Sequence, residues 1–265
     1  MSAYAAGRPG GRRRLVSGNW KMNHTHYEAI QMVHQLAARL RAAPLPDVTD
    51  VSLHPAFTAL RSVQTALESD GVPVALGAQD CHFEERGAFT GEVSAEMLAK
   101  LNVSYVIVGH SERRRYAGET DEIVRRKLDA VLSQAMTPIL CVGETSSERE
   151  DGLASATVAS QLDAVLSGRS PEVIAGVVVA YEPIWAIGTG RSASPDDAQE
   201  MAAHIRGELV RLGGGAADSV RIQYGGSVTD RTAAELHDCP DVDGLLVGGA
   251  SLEAAAFEGI IRAGS

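Results

Sequence analysis

Val177-Val178-Val179-Ala180-Tyr181-Glu182-Pro183-Ile184-Trp185-Ala186-Ile187-Gly188-Thr189-Gly190 is the stretch on which the fold of this chain turns. It opens with a short apolar run of the kind buried on both faces in a parallel sheet. A carboxylate, Glu182, stands at the C-terminal end of that strand. Pro183 follows at once and stops the ladder, because it has no N–H to donate. Bulky apolar residues then lead into Gly188-Thr189-Gly190, whose backbone amides can turn toward an anion. Ser194-Pro195-Asp196-Asp197 closes the unit as a helix start, with a serine N-cap, proline at the first position and early acids. One strand–loop–helix unit therefore carries a candidate base, an apolar flap and a candidate phosphate cradle. The plainer alternative is a surface loop with an incidental glutamate.

The same alternation runs outward in both directions. Apolar runs at 15–19, 51–53, 74–78, 105–108, 139–142, 177–181, 220–224 and 245–247 read as eight strands. Between them, Ile30, Val33, Ala37 and Leu40 step along one helical face, as do Val124, Leu128 and Val131 behind a Thr120 cap. Further helices are predicted at 60–67, 95–101 and 153–166, and a last one from near Ser251. Ala198, Met201, Ile205, Leu209 and Leu212 form another amphipathic stripe, ended by Gly213-Gly214-Gly215. Parallel strands need covering crossovers, so eight strand-then-helix units fit a single closed (β/α)8 barrel. An open doubly wound sheet is the alternative. It would be favoured by a glycine fingerprint after the first strand, and Ser17-Gly18-Asn19-Trp20-Lys21-Met22-Asn23 is not one.

The chain has 265 residues, 45% of them apolar but only 5% aromatic, so small and branched aliphatics must fill the core. A formal charge of -10 argues against a general nucleic-acid or anionic-membrane surface, and no apolar run approaches the length of a membrane span. Three scattered cysteines, Cys81, Cys141 and Cys239, fit a reducing compartment better than a disulfide framework or a zinc site. Residues 1–14, with Arg8, Arg12, Arg13 and Arg14, read as a disordered basic tail ahead of a barrel domain over 15–265. No export signal follows them, since only Leu15 and Val16 intervene before Ser17-Gly18-Asn19.

In a barrel of this kind chemistry gathers at the C-terminal strand ends. The first offers Asn19 and Lys21. The fourth offers Gly109-His110-Ser111-Glu112-Arg113-Arg114, where the start of a helical turn keeps an imidazole neutral and able to donate to a carbonyl becoming an enolate. Glu112 is a natural partner for Lys21, the alternative being a surface ion pair. The last two strands end in Tyr224-Gly225-Gly226-Ser227-Val228 and Val247-Gly248-Gly249-Ala250-Ser251. Glycine pairs there suit a phosphate held by backbone amides, although each alone serves equally for a tight turn.

These segments together closely resemble the triosephosphate isomerase family. The resemblance is carried by Gly18-Asn19-Trp20-Lys21-Met22-Asn23, Val108-Gly109-His110-Ser111-Glu112-Arg113-Arg114, Ala180 to Gly190, Tyr224 to Val228 and Gly248-Gly249-Ala250-Ser251, and extends from about Leu15 to the C-terminus. It implies a TIM barrel of glycolysis and gluconeogenesis, cytoplasmic, working on a small phosphorylated sugar without metal or organic cofactor. The family is itself a standard example of a carboxylate base paired with a neutral histidine under a closing loop. By resemblance, Glu182 moves the proton, and His110 and Asn19 donate to the enediolate oxygens. Lys21 supplies positive charge, oriented by Glu112 with Ser111 beside it. Amides at Gly188, Ser227, Gly248 and Gly249 hold the phosphate, and the flap over 184–190 closes on the intermediate. Cys141 looks structural.

The resemblance further implies a homodimer, with Gly87-Ala88-Phe89-Thr90-Gly91-Glu92 inserting into the partner and Thr90 reaching its site. Arg191 stands where the family usually has lysine, and Asp80 where asparagine is common. A paralogue acting on a tetrulose phosphate, or a phosphate-binding barrel without catalysis, are the competing functions. Relative turnover on three- and four-carbon phosphates separates the first, and ligand binding without turnover would mark the second.

Overall fold

The computed structural model describes residues 11–187 and 193–263. Its eight strands are β1 (Arg14–Asn19), β2 (Thr49–His54), β3 (Val74–Ala78), β4 (Tyr105–Val108), β5 (Thr137–Val142), β6 (Val178–Tyr181), β7 (Arg221–Tyr224) and β8 (Gly244–Val247). They pair in sequence order into a closed barrel, and the seam is a parallel β1–β8 ladder with Leu15 opposite Gly244 and Gly18 opposite Val247. The fold class expected from the sequence, a (β/α)8 barrel, is the one found.

Why the strands read as unbroken apolar runs follows from their two buried faces. Alternate residues point to opposite sides. Leu15, Ile107, Ile139, Cys141, Val178, Ala180 and Leu246 pack together inside the barrel. Their neighbours Val16, Val106, Val108, Leu140 and Val179 join the larger core between strands and helices. The helix His26–Ala42 buries Val33, Leu36, Ala37 and Leu40 against that layer, and the helix Pro195–Gly213 buries Ala198, Met201, Ile205 and Leu209. Ser194 caps the latter as expected, accepting from Asp197 N at 3.1 Å while the Asp197 carboxylate returns the bond.

Some features depart from the sequence reading. β5 begins at Thr137 and so includes Pro138, which is tolerated near a strand's start because a single ladder donor is lost there. A nine-residue helix, Asp230–Asp238, lies between β7 and β8 and goes unread in the sequence; its signal was the Thr229/Thr232 capping pair. The arginines assigned to the tail are also partly built in. Arg12 Nε donates to Asp243 at 2.7 Å, Arg13 Nε to Asp50 at 2.9 Å, and Arg14 opens β1. Asp243 also takes Arg206 of the helix Pro195–Gly213 at 2.6 Å, and Asp50 takes Arg221 of β7 at 2.8 Å, so the two carboxylates tie the residues just before β1 to a helix and a strand remote in sequence. Composition could not reveal partners so far away in sequence. Residues 1–10 of the expected tail lie outside the described residues, and among those described no helix is long and apolar enough to cross a membrane.

Inside the barrel a polar chain crosses four strands. Gln223 Nε2 donates to Ser17 Oγ at 2.8 Å, Ser17 and Ser52 share a hydrogen bond of 2.9 Å, and Ser52 Oγ lies 2.9 Å from His54 Nε2. His54 Nδ1 reaches the Ala78 carbonyl at 3.1 Å. Gly77 leaves room for the ring, since a Cβ there would fall 2.3 Å from it.

Burial pushes His54 down from its ordinary 6.5 to about 4, with the Ala78 bond only partly opposing. Between those values the unfolded chain takes up a proton that the folded chain refuses. Stability therefore falls as pH drops through the window, by about 3 kcal/mol for the full shift. Urea-unfolding free energies at about pH 7 and about pH 4.5 check this. The acid loss is expected to be smaller in His54→Ala, and equal losses would remove His54 from the account.

Candidate active site

Glu182 follows the last residue of β6 and is almost wholly buried, with 2% of its surface exposed. Its backbone N–H donates to Val142 O at 2.8 Å, continuing the β5–β6 ladder one residue beyond the strand. Glycines stand on both sides. A Cβ at Gly143 would fall 1.8 Å from the Glu182 carbonyl oxygen, and one at Gly225 3.1 Å from Glu182 Cγ. The Glu182 backbone thus passes the β5 exit because Gly143 lacks a side chain, and Gly225 leaves it a close fit on the other side.

His110 comes from the exit of β4. Gly109 turns the chain there at φ 72°, a left-handed conformation that favours glycine, and Arg114 Nε holds its carbonyl at 2.9 Å. His110 then becomes the N-cap of the short helix Ser111–Tyr116, its Nδ1 accepting from Glu112 N at 3.2 Å. That bond needs Nδ1 unprotonated, which leaves the ring proton on Nε2. Nε2 lies 2.8 Å from Glu182 Oε1, and Ser111 N donates to Glu182 Oε2 at 2.9 Å.

Burial acts to raise the Glu182 pKa, but His110, the Ser111 amide and Lys21 outweigh it and hold the group below its ordinary value. Burial likewise acts against charge on His110, while the Glu182 carboxylate outweighs it and moves the imidazole upward. The helix start at His110 acts to keep the ring neutral. The direct contact with Glu182 works the other way for as long as the two groups touch.

Lys21 sits just past β1 with φ 52°, a strained conformation for a residue with a Cβ. Three bonds hold it: its N–H donates to Asn19 Oδ1 at 3.1 Å, Gln79 Nε2 donates to its carbonyl at 2.8 Å, and its ammonium reaches Glu112 Oε1 at 2.6 Å. Asn19, Lys21, His110, Ser111, Glu112, Glu182, Ser227, Gly248 and Gly249 all line one cavity of about 950 Å³ at the C-terminal end of the barrel.

A family model described as triosephosphate isomerase matches residues 14–264 of this sequence. The chain belongs to the triosephosphate isomerase family. Curated relatives carrying that name agree. The protein of Herpetosiphon aurantiacus is 52% identical over 254 residues, covering 95% of this chain and 99% of its own. That of Corynebacterium efficiens is 52% identical over 250 residues, 94% of this chain and 95% of its own. That of Carboxydothermus hydrogenoformans is 50% identical over 254 residues, 95% and 98% of the two chains.

Of the positions at which the sequence resembles triosephosphate isomerase, eight of the nine named for the cavity itself are brought to it together with Ser111. Gly188 is the exception: it, Thr189, Gly190 and Arg191 lie outside the described residues, so the flap is described only over Ile184–Ile187. Thr90 is not among the residues lining its own chain's cavity. Asp80 is buried at the exit of β3, where Lys127 Nζ meets it at 2.6 Å and Arg113 Nε at 3.0 Å; burial outweighs Lys127 and pushes its carboxyl up to about 6. Cys141 is buried inside the barrel, and burial raises its thiol well above the ordinary value, away from thiolate formation.

Several supporting residues escape a sequence reading. Glu144 Oε1 accepts from Trp185 Nε1 at 2.7 Å and Tyr181 Oη at 3.0 Å, fastening the beginning of the flap to the β5 exit. Arg149 lies over the Trp185 ring, 4.4 Å from its centroid. Gly143, Glu144 and Gln79 follow strand ends, and that position was the one signal available for them. Replacing Gly143 by alanine forces Glu182's backbone out of the ladder. Gly143→Ala is expected to lose at least about 3 kcal/mol of stability, measured by urea unfolding. A loss below about 1 kcal/mol would show that the β5 exit yields instead.

Proposed function

We propose that this chain interconverts dihydroxyacetone phosphate and D-glyceraldehyde 3-phosphate by proton transfer through an enediolate, using Glu182 as the base. Family membership supports the reaction. The convergence of Glu182, His110, Asn19 and Lys21 on one cavity supports the assignment of roles, and it is the single observation that carries them.

Substrate enters between Glu182 and His110 and replaces their direct contact. The carboxylate, freed from the Ser111 amide and His110, takes a proton from the hydroxyl-bearing carbon beside the carbonyl and returns it to the carbonyl carbon, while the hydroxyl proton passes to the former carbonyl oxygen, so the exchange balances with no oxidant or reductant consumed. His110 Nε2–H and the Asn19 amide donate to the two oxygens on which charge develops, within a buried site where such bonds are strong. Departure of the carboxylate from His110 also removes the influence that favours imidazolium, leaving a neutral donor. The Lys21 ammonium, held by Glu112, adds positive charge near the phosphate and substrate oxygens. Amides at Ser227, Gly248 and Gly249, joined by Gly188, hold the phosphate. The flap then excludes water.

The protein works in the cytoplasm as a homodimer in this reading. Met22 after β1, Phe89 in the loop after β3 and Tyr116 at the end of the His110-capped helix all leave large apolar surface exposed. A partner's 87–92 loop, with Thr90 directed at the site, suits that surface.

Glu182→Gln keeps the shape and removes the base. A dehydrogenase-coupled assay is expected to show kcat reduced about 100- to 10,000-fold with KM changed little, and comparable rates for both proteins would remove Glu182 from the role. Sedimentation velocity is expected to show a dimer for the wild type and a monomer for Phe89→Asp, with activity lowered at least about tenfold. A fully active Phe89→Asp monomer would refute the dimer requirement.

A further inference from the structure

Gly143 lies one residue past β5, yet both of its backbone polar groups are satisfied by one side chain. Its N–H donates to Gln161 Oε1 at 2.8 Å, and its carbonyl accepts from Gln161 Nε2 at 3.1 Å. The amide thus pairs with Gly143 as a neighbouring strand would, from a helix (Ala154–Leu166) whose Val158, Leu162, Val165 and Leu166 are buried in the core. Gln161 also lines the cavity that holds Glu182.

What Gly143 touches gives the clamp its consequence. Glu182 N–H bonds to Val142 O at 2.8 Å, and Ile184 N–H to Glu144 O at 3.2 Å. Residues 142–144 are therefore the rail on which 182–184 rests, and Gly143 abuts the Glu182 backbone too closely to admit a Cβ. A glycine in that position has the widest conformational freedom of any residue, and its unpaired polar groups would otherwise turn to cavity water. On the far side Gly225 N–H holds Tyr181 O at 2.7 Å, so Glu182 is gripped between one ladder bond and one clamped glycine.

We infer that Gln161 is a positioning residue for the Glu182 base: its amide locks Gly143, and Gly143 sets where the Glu182 backbone stands. The inference rests on Glu182 being the base. Proton abstraction demands close alignment, so a shift of the base by a fraction of its reach lowers the rate of that step more than it lowers substrate binding.

Gln161→Leu removes both bonds at nearly constant volume. In the coupled assay kcat is expected to fall between about tenfold and hundredfold, with KM changed less than about threefold. The primary isotope effect, read with substrate deuterated at the carbon Glu182 deprotonates, is expected to rise as proton abstraction becomes more fully rate-limiting. A kcat within about twofold of wild type in folded protein overturns the inference. So does a fall in kcat with an unmoved isotope effect, because a merely structural loss leaves the balance of steps alone. If Gln161→Leu does not fold, Gln161→Glu, which keeps the acceptor for Gly143 N–H, decides by the same two readouts with a smaller loss expected. Full activity in Glu182→Gln would instead sink the base assignment, whatever Gln161 does.

Discussion

The contact between a buried carboxylate and an imidazole, Glu182 Oε1 to His110 Nε2 at 2.8 Å, is the constraint around which this molecule is arranged. Left alone, burial would neutralise the carboxylate and discharge the ring. Each is kept usable by a second bond at its other end: the Ser111 amide for Glu182, and the Glu112 amide for His110. The resting pair is a stored arrangement. In the proposed mechanism these same groups, separated by substrate, serve as base and hydrogen-bond donor.

Holding that pair requires little side-chain machinery and much backbone control. Gly143 and Gly225 let the chain carrying Glu182 pass between two strand exits, and Gly109 turns β4 so that His110 faces inward. Glu144 ties Tyr181 and Trp185 to the β5 exit, so the residue before Glu182 and the segment after it share one support. Lys21 is kept in a left-handed conformation by Asn19, Gln79 and Glu112, a strained residue among ordered neighbours, as is common where geometry serves chemistry.

The barrel was readable because its strands are buried on both faces and its helices on one, so apolar runs and stripes alternate in a way few other folds share. Element ends were less legible. Pro138 hid the start of β5, and the helix Asp230–Asp238 buries only Ala233 and Leu236 among apolar residues, too few to show a stripe. Arg12 and Arg13 read as tail because their carboxylate partners, Asp243 and Asp50, are remote in sequence. In the site, residues in conspicuous motifs (Asn19, Lys21, His110, Glu182) were legible, while Gln161 and Gln79 were not: a glutamine on a helix face or a strand exit carries no local sign of which carbonyl it will meet.

Periodicity, strand-end chemistry and motif spacing, all local properties, favoured by themselves an eight-stranded parallel barrel with its reactive groups at one rim over an open doubly wound sheet. The tertiary structure alone decided that Glu182 rests against His110, that Ser111 holds the free carboxylate oxygen, and that Gln161 closes the ladder at Gly143. The reason is distance along the chain. Glu182 and Ser111 are 71 residues apart, and the pairing of β4 with β5 and of β5 with β6 is what brings such groups within a hydrogen bond of one another.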